Sequence, residues 1–256
     1  MTTSPSNDQN EQARDATYWA PNVSTLKVTR APTGALNLNV EGRHVIGPLQ
    51  GFGQLWQKTY SIRLHGAHVT PIEVIKKWKT NFPKYWPKEN RFYTSLAGIA
   101  PGEVAIINTT LIGAVPLSTG MLVLYVDDES FALMTPEGHT FAGWVTFSAY
   151  DDDGCTVAQV TAQLRATDPI YELGLRLGAH KMEDKHWEHT LQALAADFGV
   201  NGTVRMSMEC IDPRIQWSQI GKIWYNAGIR TTFYKMALPV RHAWKQFKSK
   251  IYAKWQ

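Results

Sequence analysis

An α+β fold, an antiparallel sheet with a short helix before it and a long helix after it, is predicted by three observations. Five strand-like runs separated by turn residues follow one another between residues 103 and 166. A well-capped helical start precedes them at Thr70, and a helical period follows them from about Pro169 to Phe198. Short polar connections such as "DDES" and "DDDG" suit hairpins, so consecutive antiparallel pairing is the simple inference.

Taken in order, residues 1–17 read as a disordered polar leader, and residues 18–51 as an extended arm of weakly alternating segments between Pro and Gly breaks. In "LWQKTYSIRLHGA" Trp56, Tyr60, Ile62 and Leu64 fall on one face, with Gln57, Thr59, Ser61, Arg63 and His65 on the other, which predicts a half-buried strand. In "TPIEVIKKWKTNFPKYWP" Thr70 is the N-cap, Pro71 takes the first helical position and Glu73 completes a capping box. Pro83 ends that helix. The strand-like runs then cover 103–113, 121–128, 130–136, 142–150 and 155–166. Asp168 caps the long helix, "FGVNG" closes it, and Gly174 and Gly178 weaken it by roughly 1 kcal/mol each relative to Ala.

The chain has 256 residues, 44% of them hydrophobic and 19% charged, the composition of a globular protein able to bury a core. Two cysteines, Cys155 and Cys210, cannot build a disulfide framework or a CxxC zinc site. The opening residues lack the apolar core of a secretory signal, and no apolar run has the length of a membrane span. A cytoplasmic setting follows as the expectation. The net charge of +4 is unevenly spread: residues 201–256 hold ten Lys or Arg against Glu209 and Asp212, so this segment carries +8 and the rest −4.

Over residues 52–200 the element order resembles the helix-grip fold of the START and birch-pollen-allergen superfamily, which includes polyketide cyclase-like proteins. The nearest local likeness is "SFALMTPEGHTFAGWVTF", residues 130–147. The resemblance implies a curved antiparallel sheet wrapped around a long C-terminal helix with an apolar cavity between them. It licenses a class of ligand, not a reaction.

"HKMEDKHWEH", residues 180–189, is the densest cluster of ionisable groups. At about 100° per residue, Leu173, Leu177, Trp187, Leu191, Leu194 and Phe198 fall within roughly 60° of His180, and Asp184 within about 40°. His180 and Asp184 are thus expected inside the apolar stripe, paired one turn apart, while His186, Glu188 and His189 are expected on the wet side. Divergent histidines cannot converge on one ion, so no metal is expected, and no cofactor fingerprint occurs. The predicted ligand contacts are His180, Asp184, Tyr60, Trp78, Trp144, Leu177, Trp187 and Leu191. The alternative for the polar pair is a satisfied structural contact, and for the aromatics plain core packing. Arg63, Trp86 and His139 are further candidates. No catalytic residue is assigned.

The C-terminal segment interleaves Trp, Tyr and Phe with Lys and Arg. Val240, Ala243, Trp244, Phe247, Ile251 and Trp255 recur at helical spacing with the lysines off that line, a basic amphipathic helix suited to an anionic membrane surface. Arg241, Trp244, Lys245, Phe247, Lys248 and Trp255 are the expected membrane contacts. Docking on the domain or on a partner is the alternative, and nucleic acid is disfavoured because no RNA-binding signature accompanies the composition. The chain therefore reads as a leader (1–17), an arm (18–51), a ligand-binding domain (52–200) and a basic amphipathic tail (201–256). The expected function is binding or transfer of a lipid or isoprenoid-like molecule with peripheral membrane attachment. A cyclase or dehydratase using a cavity histidine, and a non-catalytic interaction module, are the alternatives. The oligomeric state is not legible.

Overall fold

The computed structural model describes residues 16–21, 24–28, 31–111 and 114–252, except the side chains of 240–243 and 245–252. The leader predicted over 1–17 lies outside these residues up to position 15. One eight-stranded antiparallel sheet runs in the order β2-β3-β4-β5-β6-β7-β1-β8. Its strands are β1 (Leu55–Arg63), β2 (Arg91–Tyr93), β3 (Val104–Leu111), β4 (Val115–Val126), β5 (Ser130–Met134), β6 (Phe141–Asp152), β7 (Cys155–Ala166) and β8 (Arg205–Asp212). The order follows from hairpins alone between β2 and β7; β1 then closes on β7 from Trp56↔Leu164 to Arg63↔Val157.

The first helix, α1 (Pro71–Asn81), has both hydrogen bonds of the expected capping box. It passes into a short 3-10 turn at Phe82–Tyr85 because Pro83 offers no amide to continue the ladder. Trp78 and Phe82 from this unit enter the sheet's concave face against Phe131 and Phe147, whose rings stack 4.6 Å apart. Trp187, Leu191, Leu194 and Ala195 complete this aromatic core from the helix after β7. The sheet thus wraps that helix in a helix-grip architecture.

The long helix itself differs from the prediction. It is α2 (Pro169–Gly174), a π turn over Leu175–Ala179, and α3 (His180–Ala196), joined at Gly178 with φ 117° and ψ 6°. A π turn adds a residue to the repeat, so the wheel drawn through all thirty residues loses its phase. Leu173 and Leu177, predicted to face inward, are 57% and 75% exposed.

Three further corrections concern the strands. β4 starts at Val115, six residues before the predicted run, because Pro116 and Gly120 disguise its first half. Gly120 is there for close approach, since a Cβ would lie 2.4 Å from the Ala105 carbonyl of β3. β2 is too short to show a period. β8, inside the predicted tail, pairs along β1 and belongs to the sheet.

The last helix, α4 (Ala227–Tyr252), also begins in the body of the fold. Asn226 accepts from the Ile229 amide as its cap and donates to Asp168 Oδ2 at 2.8 Å, while Asp168 caps α2 through the amides of Ile170 and Tyr171. Thr231 Oγ1 accepts from the Ser118 amide of β4 and from Asn39. On the other side of the sheet, Leu26 and Val40 of the N-terminal arm pack on Ile106 and Leu122.

Candidate functional site

Between the sheet, the α2–α3 unit and the start of α4 lies a cavity of about 560 Å³. Ile107, Leu117, Met121, Val145 and Leu164 supply its sheet wall, Leu175, Ala179 and Met182 the helical wall, and Ile229 and Phe233 the cover. Val115, Ile170, Met182 and Phe233 both line it and are exposed, so they mark its mouth. This is the size and lining of a small-molecule site.

A buried ion cluster reaches this cavity through Glu183 of α3. Lys58 of β1 is completely buried and donates to Glu183 Oε2 at 2.9 Å and Asp184 Oδ1 at 2.8 Å. Tyr60, also on β1, donates to the same Asp184 oxygen at 2.6 Å. Burial, with the Glu183 charge beside it, pushes the Tyr60 phenol far up, so it stays protonated. Glu183 alone of this cluster faces the cavity. Burial raises its pKa, and Lys58 opposes that shift.

Why α3 meets the cavity where it does follows from its geometry. Trp187, Leu191 and Leu194 form the stripe toward the aromatic core. Ala179, Met182, Glu183 and His186 form a second stripe, rotated by roughly 110°, toward the cavity. His186, predicted to be solvated, therefore lines the cavity, with its ring 4.6 Å from Trp86 and from Trp187. Burial lowers its pKa to about 3, with His189 adding to the shift. Its Nδ1 lies 2.9 Å from Asn90 Nδ2, and Asn90 Oδ1 accepts from Thr109. His139, at the other end of the cavity, is lowered to about 4 by burial.

The predicted ligand contacts divide as follows. Trp144 and Trp187 line the cavity. Tyr60 and Asp184 sit behind Glu183, and Trp78 and Leu191 are fully buried in the aromatic core. Leu177 points to solvent because of the π turn. His180 does not pair with Asp184, whose oxygen is taken by Lys58 and Tyr60; its ring packs edge-on against Trp56 at 5.4 Å, and burial lowers its pKa to about 4. Trp86 and His139 line the cavity, whereas Arg63 binds Asp152 on the opposite face of β1. Trp244 is exposed, and the side chains of Arg241, Lys245, Phe247 and Lys248, with Trp255, lie outside the described residues.

Sequence reasoning missed Lys58 and Glu183. Lys58 has the parity of Trp56 and Tyr60, and Glu183 stands about 60° from His180, so both signals were present. Among the described residues no group of three or more His, Cys, Asp or Glu could hold a metal ion, and no helix is long and apolar enough to cross a membrane.

No protein-family model and no curated protein matches the chain. Solved structures with a similar fold include a START superfamily protein from Mycobacterium smegmatis, 16% identical over 57% of this chain and 98% of its own, with a TM-score of 0.40. The di-domain ARO/CYC StfQ from the steffimycin biosynthetic pathway is 12% identical over 57% of this chain and 53% of its own, with a TM-score of 0.45. Ara h 8.0201 is 12% identical over 56% of this chain and 97% of its own, with a TM-score of 0.39. These are likenesses of fold alone.

Proposed function

We propose that the chain binds a hydrophobic small molecule, lipid or isoprenoid-like, in this cavity and meets an anionic membrane surface with the cavity mouth and α4. The observation that carries the reading is an apolar cavity of about 560 Å³ in which Glu183 is the one carboxylate on the wall among the described residues, held there by Lys58. Filling it removes apolar surface from water at about 25 cal/mol per Å². Exposed Leu173 and Leu177 beside the mouth, Phe233 and Met236 on α4, and the +8 charge of residues 201–256 support the membrane part.

Native mass spectrometry of protein from its own host, with Nile red titration of the purified chain, tests the first part. A co-purifying apolar molecule and saturable dye uptake are expected, and Ala162→Trp, which fills the cavity, should weaken uptake at least about tenfold while the chain still melts cooperatively. Absence of both signals sinks the reading. For the second part, sedimentation with phosphatidylserine vesicles should fall with added salt and with Leu173→Ser/Leu177→Ser; indifference to both removes the membrane from the proposal.

The buried Lys58–Glu183 contact favours a second reading, a cyclase or dehydratase. Glu183, which reaches the cavity with a raised pKa, would then carry the proton in place of His180.

A further inference from the structure

Residues of the cavity wall carry buried polar atoms without a partner among the described residues, the indole N–H groups of Trp86 and Trp187 and the hydroxyl of Thr119. Trp86 is 8% exposed and its Nε1–H meets no acceptor among the described residues; Thr119, completely buried, likewise has no partner for its hydroxyl. Both line the cavity. The state of His186 follows from its neighbours. Thr109 donates to Asn90 Oδ1, so the Asn90 amide nitrogen is the donor to His186 Nδ1. An accepting Nδ1 on a neutral ring puts the proton on Nε2, so the nitrogen left to a ligand is a donor. Burial keeps that ring neutral at ordinary pH.

The one carboxylate on the wall among the described residues, Glu183, already has a countercharge. Lys58 holds Glu183 through Oε2, the Thr135 hydroxyl donates to and accepts from Gly143, and the Thr232 hydroxyl donates to the Gly228 carbonyl. Among the described residues no Lys or Arg lines the cavity. An anionic ligand would therefore find no countercharge and would face Glu183. Indole nitrogen donates and never accepts, so Trp86 is satisfied only by an acceptor.

We infer that the cavity selects an apolar molecule bearing a neutral hydrogen-bond acceptor of the ketone class, whose oxygen is received by Trp86, His186 and Thr119. This rests on the cavity-binding reading above. It assigns to Trp86 and His186 a specificity role distinct from the apolar attraction that any hydrophobic compound would feel.

Fluorene and fluorenone share a tricyclic frame and differ by one carbonyl, so they separate the two terms. The full chain should bind fluorenone at least about threefold more tightly than fluorene, and fluorene-9-carboxylate more weakly than either. Trp86→Phe and His186→Phe should each cost fluorenone roughly threefold to tenfold and change fluorene less than about twofold. Trp78→Phe is the control, because its indole nitrogen is also buried and unpartnered but does not line the cavity. Bound fluorenone should show a lowered carbonyl stretching frequency that moves back up in the Trp86 and His186 variants. Fluorene binding as well as fluorenone, or equal losses of both compounds in the variants, overturns the inference and leaves the cavity reading intact. Binding of neither compound by the wild-type chain overturns both.

Discussion

Lys58 lies between Trp56 and Tyr60 on β1 with its entire side chain inside the fold, where Glu183 and Asp184 both turn toward it. Such a group is tolerable only while it is paired. Lys58→Met should therefore destabilise by about 3–5 kcal/mol in urea unfolding, and Lys58→Met/Glu183→Gln by less than the sum of the two single changes. If Lys58→Met is silent, the cluster is not what holds α3 to β1. The histidines set the pH dependence at the same scale. His139 and His186 have folded pKa values near 4 and 3, below the usual 6.5. Their contribution is fully present above pH 6.5 and is lost as pH falls toward the folded values, because the unfolded chain takes up protons first. Glu183, shifted upward, acts in the opposite sense. Thermal melts should show stability falling below about pH 6.5, by up to about 1.4 kcal/mol per pH unit for each histidine, and His186→Phe should flatten the slope.

Among the elements, the helix of the grip turns on Gly178. At φ 117° a side chain is strained whatever the space around it, and nothing lies within 4 Å of a Cβ placed there. Gly178→Ala should therefore cost roughly 1–3 kcal/mol from backbone conformation alone, and hydrogen exchange should place the loosening at residues 175–180. The π turn makes a second comparison sharp. Leu177→Arg should shift stability by no more than about 0.5 kcal/mol, because Leu177 is exposed, whereas Leu191→Arg should abolish cooperative folding, because Leu191 is completely buried. On a continuous helix the two would behave alike, since they fall on one stripe.

In the molecule as a whole, the basic segment is partly structural. Arg165 of β7 is 1% exposed and donates to the Gly53 and Arg214 carbonyls and to Asp212 at the end of β8. Glu137 binds Lys222, and Gly228 on α4 donates its amide to the Tyr171 hydroxyl. Truncation after Pro239 should keep the cooperative melt and Nile red uptake. Truncation after Ile223 should lower the midpoint and lose uptake, because Asn226, Ile229 and Phe233 leave the cavity wall. A fragment of residues 52–200 should likewise melt well below the full chain, because Arg165 keeps the Gly53 carbonyl but loses Arg214 and Asp212. Equal behaviour of the two truncations would make α4 an appendage.

The local signals in the sequence determined the capping box at Thr70, the stop at Pro83, the cap at Asp168, the hairpin strands and the inward parity of Trp56, Tyr60 and Ile62, because each depends on neighbours within a few residues. The cluster at 180–189 was equally visible as a cluster, and Trp187 and Leu191 as one inward stripe, expected at the ligand, of which Leu191 lies in the aromatic core. Which of its groups meet the cavity was decided by tertiary structure. A π turn at 175–179 resets the helical phase, a second wall stands beside the first, and a lysine from a strand over 120 residues away takes the carboxylate that local spacing had given to His180. The residues of β8 and the first turn of α4 read as a basic tail because their partners, β1, Asp168 and Ser118, are far away in the chain. Pairing of that kind depends on which edges and caps remain open once the sheet has closed, and no periodicity within the segment records it.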